Sequence, residues 1–190
     1  YKLKKANILN TFVSINGSTK KIHNLSRSNF EESIEGIKNL VDVGVWCGIN
    51  WVARKDNVMD FNNLLKLSKE LRVNQVNIIS PKKDDKGHFQ KLSNDELEYL
   101  ANIIKDYRKE GYVSIDLCFP ELNYILLKEK MHPVLKYCIA GRYFVDVSTE
   151  GRLSPCRHIQ KYENYDSIKE YWESSEILLD IRKSIKDTCR

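Results

Sequence analysis

Three thiols stand where this sequence could hold a metal. Cys138 and Cys156 bracket the stretch CIAGRYFVDVSTEGRLSPC, and Cys189 comes after a helical stretch further on. Between the first two, Tyr143, Val145 and Val147 alternate with Phe144, Asp146 and Ser148, which is the period of a strand. Thr149-Glu150-Gly151 reads as a turn, and Pro155 stiffens the backbone just before Cys156. A tight hairpin with a thiol at each base can bring two soft ligands to one metal centre. Iron–sulfur clusters are held by thiolates, usually four, and tetrahedral thiolate sites suit zinc as well. Three thiols cannot complete a four-cysteine site, so a zinc site or metal-free cysteines stay open beside the cluster reading. Cys47 (VWCGI) and Cys118 (IDLCF) lie in apolar strand patterns and read as small core residues. With five cysteines, an odd number, in a chain of intracellular α/β character, a disulfide framework is not expected.

The elements that must position these thiols are regular. Phe12 to Ile15, Val45 to Ala53, Gln75 to Ile79 and Tyr112 to Cys118 read as strands. Between them, Ile34, Ile37, Leu40 and Val41 form a helical stripe, with Asn29 as its N-cap and Gly44 as its end. A second helix runs from about Asp60 to Leu71. Ser93 with Glu96 is a capping box that opens a third, which Gly111 stops. Pro120 breaks the pattern, and a helix from about Glu121 to Lys130 leads into the cysteine region. Residues 1–10 read as the end of a helix, residues 16–28 as a polar loop, and residues 166–187 as one helix. Apolar residues on both parities of the second strand suit burial on both faces. Strand and helix alternating at this spacing predict βαβ units and a parallel sheet. These units cannot close a barrel, so an open edge and an exposed hydrophobic face are expected, with partner strands supplied from elsewhere.

In parallel α/β folds, ligands sit at the carboxyl ends of the strands. That puts Ser14 and Asn16, Asn57, and the loop from Ser80 to Leu92 on the ligand face. Arg27, on the loop after the first strand, could hold a carboxylate bidentately. The loop's Lys82, Lys83, Lys86 and His88 read as solvated; a functional role would be the steering of an acidic peptide. Trp46, Trp51 and Trp172 read as core or interface residues.

The run Cys138, twelve residues, Gly151, four residues, Cys156 resembles the opening of the SPASM domain. This is the auxiliary iron–sulfur module of many radical S-adenosylmethionine (SAM) enzymes. Cys189-Arg190 looks like the start of that domain's next CxxC pair. VSINGSTKKIHNLSR (Val13 to Arg27) looks like the family's VSIDG-x-x-x-x-HD-x-x-R stretch, with Asn16 in place of the aspartate and His23-Asn24 in place of HD. GVWCGINWVARKDN (Gly44 to Asn57) looks like the next barrel strand with its closing Asn.

The resemblance implies an α/β fold: the second half of a partial TIM-type barrel of parallel βα units (residues 1–131), then a small β-hairpin plus helix region of a partial SPASM domain (residues 132–190). It implies [4Fe-4S] clusters and SAM as cofactors, with Cys138 and Cys156 as ligands of a first auxiliary cluster and Cys189 of a second. Ser14 would contact the SAM ribose or carboxylate, with Asn16 as a further polar contact and Asn57 and Arg27 as further cofactor-binding candidates. His132 could be a ligand, the site could stay open for a substrate thiol, or His132 could be a bystander, the reading adopted. The implied activity is reductive cleavage of SAM to a 5′-deoxyadenosyl radical that modifies a peptide or protein residue. The SAM-cleaving CxxxCxxC loop is absent from these residues, so this segment alone is expected to be inactive and to need an N-terminal barrel half. The alternative is a non-catalytic structural or partner-binding module.

Composition agrees with a globular protein: 42% hydrophobic and 30% charged over 190 residues. The +5 charge is spread along the chain, and no nucleic-acid motif accompanies it. No apolar run has the length of a membrane span. A cytoplasmic protein with a peptide substrate and neither nucleic acid nor membrane as partner is expected. The residue types here name no catalytic group, and no Gly-rich phosphate loop is present.

Overall fold

The computed structural model describes residues 2–82, 91–127, 138–159 and 161–184. Its elements run α1 (Lys2–Lys5), β1 (Asn10–Ser14), α2 (Lys20–His23), α3 (Phe30–Asp42), β2 (Trp46–Val52), α4 (Phe61–Glu70), β3 (Gln75–Ile79), α5 (Asn94–Lys109), β4 (Val113–Ile115), α6 (Pro120–Leu127), β5 (Asp146–Val147), β6 (Leu153–Ser154), α7 (Ile168–Ser174) and α8 (Glu176–Lys183). The chain divides into two compact units, Tyr1–Pro81 with Gln90–Leu126 and Lys82–Phe89 with Leu127–Arg190.

The first unit carries a parallel sheet in the order β1-β2-β3-β4, each strand beside its neighbour in sequence. Its core lies on one face. Cys47, Ile49, Trp51, Val76, Ile78 and Val113 point there, and Ile37, Leu64, Leu65, Leu97, Leu100 and Ile104 of α3, α4 and α5 pack with them. Trp51 is fully buried, with its ring centroid 4.4 Å from that of Phe61. Helices on one face of a sequentially ordered parallel sheet are the arrangement of a partial barrel, as the sequence predicts.

The opposite face departs from expectation. The second strand is not buried equally on both sides: Cys47, Ile49 and Trp51 are buried, whereas Trp46, Asn50 and Val52 are half-buried. Nor is this face simply hydrophobic. Asn50, Asn77 and Ser114 stand there side by side, in register with Ser14. At its other end Phe12 lies edge-on to Trp46, 5.3 Å between centroids, across Gly48. A Cβ on Gly48 would meet the Phe12 ring at 2.5 Å, so glycine makes room for the ring.

Several boundaries shift for local reasons. Asn29 occupies the cap position of α3 in a left-handed conformation, φ 63°, and its side chain caps nothing. The capping box of α5 forms in full, Ser93 Oγ accepting from Glu96 N–H and Glu96 accepting from Ser93 N–H. The loop after β1 contains a helical turn, α2, capped by Thr19. The fourth strand is only Val113–Ile115, because Asp116 turns the chain: its carboxylate accepts from Cys118 N–H and its carbonyl from Asn123 Nδ2. Pro120 opens α6, one residue before the expected start, a position where its missing N–H costs nothing.

In the second unit, β5 and β6 pair antiparallel around the turn that contains Gly151. The hairpin is shorter than its alternating pattern predicts. Leu153, Tyr171 and Leu178 form its small core, with Val145, Tyr165 and Trp172 against them. The expected single helix is two. Ser175 leaves the helical conformation, φ −62° and ψ 121°, and its hydroxyl accepts from Leu178 N–H to cap α8. Among the described residues no helix is long and apolar enough to cross a membrane.

Candidate functional site

Ser14 closes β1 at the carboxyl end of the sheet. It is half-buried, and its hydroxyl makes no hydrogen bond among the described residues. The turn that follows is held from below and from the side. Asn16 is 4% exposed, and its amide is engaged at both ends: Oδ1 accepts from Val52 N–H at 3.1 Å, and Nδ2 donates to Ser26 Oγ at 2.9 Å. Its backbone N–H donates to His23 Nδ1 at 3.2 Å, and His23 Nε2–H donates to the Ser28 carbonyl at 3.2 Å. His23 is fully buried, and this pair of bonds fixes it as the neutral Nε2–H tautomer. Gly17 lies so close to α2 that a Cβ would meet Ile22 at 2.6 Å and His23 N at 2.7 Å.

The loop after β2 grips the same turn. Asn57, 2% exposed, donates from Nδ2 to the carbonyls of Asn16 and Val52 at 2.9 Å each, while its Oδ1 accepts from Arg54 N–H at 2.8 Å. The Asp60 carboxylate accepts from Ser18 N–H and Ser18 Oγ, both at 2.6 Å. The sequence-predicted residues Ser14, Asn16 and Asn57 are therefore brought into one hydrogen-bonded region at the strand ends. In it the Asn57 amide is committed to backbone groups and the Asn16 amide to Val52 N–H and Ser26 Oγ, while the Ser14 hydroxyl is uncommitted among the described residues. Arg27 is exposed just after α2, with its N–H bonded to the His23 carbonyl and no side-chain partner among the described residues.

Of the loop from Ser80 to Leu92, Lys83, Lys86 and His88 lie outside the described residues, as do Cys189 and His132. In the second unit Cys156 is 5% exposed, and its Sγ accepts from His158 N–H at 3.5 Å. Cys138 is half-buried, and its carbonyl takes Arg142 Nη1 at 2.8 Å. Arg142 also reaches the carbonyls of Ile181 and Ser184 at the end of α8. Arg182 donates to the Gly141 carbonyl at 2.9 Å and lies 4.2 Å over the Trp172 ring. Two arginines thus tie the Cys138 segment to α8. Among the described residues no three His, Cys, Asp or Glu side chains gather as a metal site. Two thiols can supply part of a thiolate site and do not complete one. Cys47, by contrast, is fully buried, and burial pushes its thiol up.

The residues that sequence reasoning passed over are Asn50, Asn77 and Ser114. Ser114 Oγ donates to Asn77 Oδ1 and Asn77 Nδ2 donates to Asn50 Oδ1, both at 3.0 Å. Their signal was a polar residue inside each largely apolar strand, legible only once the register is known.

No family model matches the chain. Curated relatives include an AdoMet-dependent heme synthase of Oleidesulfovibrio alaskensis, 25% identical over 83% of this chain and 46% of its own length. Another is an AdoMet-dependent heme synthase of Methanosarcina barkeri, 23% identical over 99% and 60%. A third is a protein of Saccharolobus islandicus named "Probable GTP 3',8-cyclase", 29% identical over 82% and 53%. The chain spans about half the length of the curated relatives it matches. In fold it is similar to Streptococcus suis SuiB, with a TM-score of 0.70 at 16% identity over 92% of this chain and 45% of that one. It is also similar to anSMEcpe, solved with bound AdoMet and a peptide, at a TM-score of 0.53 and 20% identity over 82% and 46%.

Proposed function

We propose that this chain is part of a radical SAM enzyme, the part that completes the barrel (residues 1–131) and opens a SPASM domain (residues 132–190); its similarity to AdoMet-dependent heme synthases and to SuiB and anSMEcpe supports this reading. The substrate is a peptide or protein residue. Among the structural neighbours, SuiB was solved with its precursor peptide and anSMEcpe with a peptide, which supports this reading. With bound SAM and a reducing cluster, the chemistry supplied is a radical that takes a hydrogen atom from the substrate.

The residues of this chain would bind and orient. The observation that carries the reading is the uncommitted Ser14 hydroxyl at a strand end whose following turn is fixed by His23, Asn16 and Asn57. A rigidly held hydroxyl suits a ribose or carboxylate oxygen. Arg27, with no ion-pair partner among the described residues, suits the SAM carboxylate. Asn16 and Asn57 serve the cofactor by holding the turn that presents Ser14. Cys138 and Cys156 would hold an auxiliary [4Fe-4S] cluster, with His158 N–H bonded to the Cys156 sulfur as thiolates in such sites often are. Cys189 belongs to a second cluster on this reading, and the location is the cytoplasm.

The test is anaerobic reconstitution of the intact protein with iron and sulfide, then reduction in the presence of SAM. More iron than one four-iron cluster requires, with release of 5′-deoxyadenosine, is the expected result. Changing Cys138 and Cys156 to Ala should remove only part of the iron. A colourless protein that retains zinc and releases no 5′-deoxyadenosine overturns the proposal in favour of a structural module.

A further inference from the structure

The geometry points to the row Asn50–Asn77–Ser114, on the face of the sheet opposite α3, α4 and α5, as the surface that recognises a neutral amide group of the substrate. This deepens, and rests on, the reading of the chain as part of a peptide-modifying radical SAM enzyme.

The row is a coincidence of register. β2, β3 and β4 each place one polar residue at the same level, beside Ser14 of β1. Polar residues facing the interior of a sheet lose hydration, so they persist where something bonds them. Here the bonds run one way. Ser114 O–H donates to Asn77, and the Asn77 amide donates to Asn50. Among the described residues the Asn50 Nδ2 is left with its N–H donors uncommitted, and Ser114 Oγ with acceptor capacity. A chain of bonds in one direction polarises its members, which strengthens the free donor at its head. The two ends stand two strand spacings apart, about 10 Å. A carbonyl oxygen suits the Asn50 end, and an N–H suits the Ser114 end. A peptide offers both.

Charge narrows the choice further. No strand residue on this face is Asp, Glu, Lys or Arg. A nucleoside triphosphate or a carboxylate-bearing tetrapyrrole would bring anionic groups, which are held by Arg and Lys and are costly to set against an uncharged, half-buried surface. A neutral amide pays no such penalty. The row also has apolar shoulders. Phe12, 40% exposed, and Trp46 flank it on one side, Val52 and Ile79 on the other. Polar centre and apolar margins match an amide group with a hydrocarbon side chain beside it.

The experiment uses the intact protein labelled with [15N]asparagine and titrated in turn with N-acetyl-trialanine amide, GTP and a tetracarboxylic porphyrin. The side-chain amide signals of Asn50 and Asn77, assigned by loss in Asn50→Leu and Asn77→Leu, should move with the blocked peptide and not with the two anions. Asn50→Asp keeps an acceptor for Asn77 while removing the free donors. It should weaken the peptide at least tenfold with the fold intact. Signals that stay still with the peptide, signals that move only with GTP or porphyrin, or unchanged peptide affinity in Asn50→Asp would each overturn the assignment and leave the row a purely structural ladder. If the wild type moves with the peptide yet neither binds SAM nor releases 5′-deoxyadenosine on reduction, the amide surface stands and the enzyme reading falls.

Discussion

Asn57 Nδ2 bonds the carbonyls of Asn16 and Val52 at once, 2.9 Å each, so one side chain joins the turn after β1 to the end of β2. Neither carbonyl can find water readily, because Asn57 is 2% exposed. Asn57→Ala should therefore destabilise the protein by about 2–3 kcal/mol, mainly through the polar groups left unpaired. Urea unfolding measures this. Asn57→Asp should be at least as damaging, since a carboxylate replaces two donated bonds with repulsion from two carbonyl oxygens. On the proposed function, either change in the intact protein should also weaken SAM binding, because Ser14 loses its fixed neighbour.

The Asp60 carboxylate and Ser18 form a second buckle across the same loops. Bonds to a charged acceptor are worth about 1.5–3 kcal/mol each. Asp60→Ala should cost about 2–4 kcal/mol, and Asp60→Asn less, since its amide oxygen still accepts from one donor. Ser18→Ala should cost less again, because the backbone N–H bond survives. Thermal melts of the three variants should rank in that order.

Phe12 and Gly48 make a steric pair. Gly48→Ala should destabilise by about 1–3 kcal/mol, as overpacking does, because its Cβ would stand 2.5 Å from the ring. Adding Phe12→Ala should recover part of that loss, and a double-mutant cycle by urea unfolding reads the coupling.

Tyr171 is pushed up to about 12 by burial, with the Glu163 carboxylate adding to it. Its hydroxyl is buried and makes no geometrically good hydrogen bond among the described residues. The folded state holds this proton more tightly than the unfolded chain, whose tyrosine titrates near 10. The stability it contributes is whole below pH 10 and is lost as pH rises from 10 towards 12, by up to about 1.4 kcal/mol per pH unit. Tyr171→Phe should remove that slope and raise neutral-pH stability by about 1 kcal/mol, as read by denaturant titrations at pH 8 and pH 11.

Thiol reactivity should follow burial. Cys47, fully buried and pushed up, should stay silent to an aromatic disulfide reagent at pH 8, whereas half-buried Cys138 should react. In protein reconstituted with iron and sulfide, Cys138 and Cys156 should both become protected from alkylation, as mapped by mass spectrometry.

The parts of the fold that could be read in the sequence were those where one local interaction decides. Ser93 with Glu96 forms its box wherever the rest of the chain lies, and the spacing of Ile34, Ile37, Leu40 and Val41 fixes a helix face. What could not be read depended on partners distant in sequence. Asn29 looked like a capping side chain, but the chain enters α3 through a left-handed residue, and no local rule distinguishes the two. Ser175 breaks a continuous helical pattern because its hydroxyl serves two masters, capping Leu178 N–H and donating to Glu163. At the candidate site, the placement of Ser14 and Asn57 beside the strand ends could be read from the sequence. Asp60 could not, since its partner is forty-two residues away. Asn50, Asn77 and Ser114 become a row only through register.

The strand order has a consequence for how the first unit comes to exist. In the first unit each strand after β1 pairs with the one made just before it, and the core helices pack on one side of the sheet. No strand must wait for a later one to be inserted beside it. The sheet can therefore assemble in the order of synthesis, each helix–strand pair docking on a template already in place as the chain leaves the ribosome.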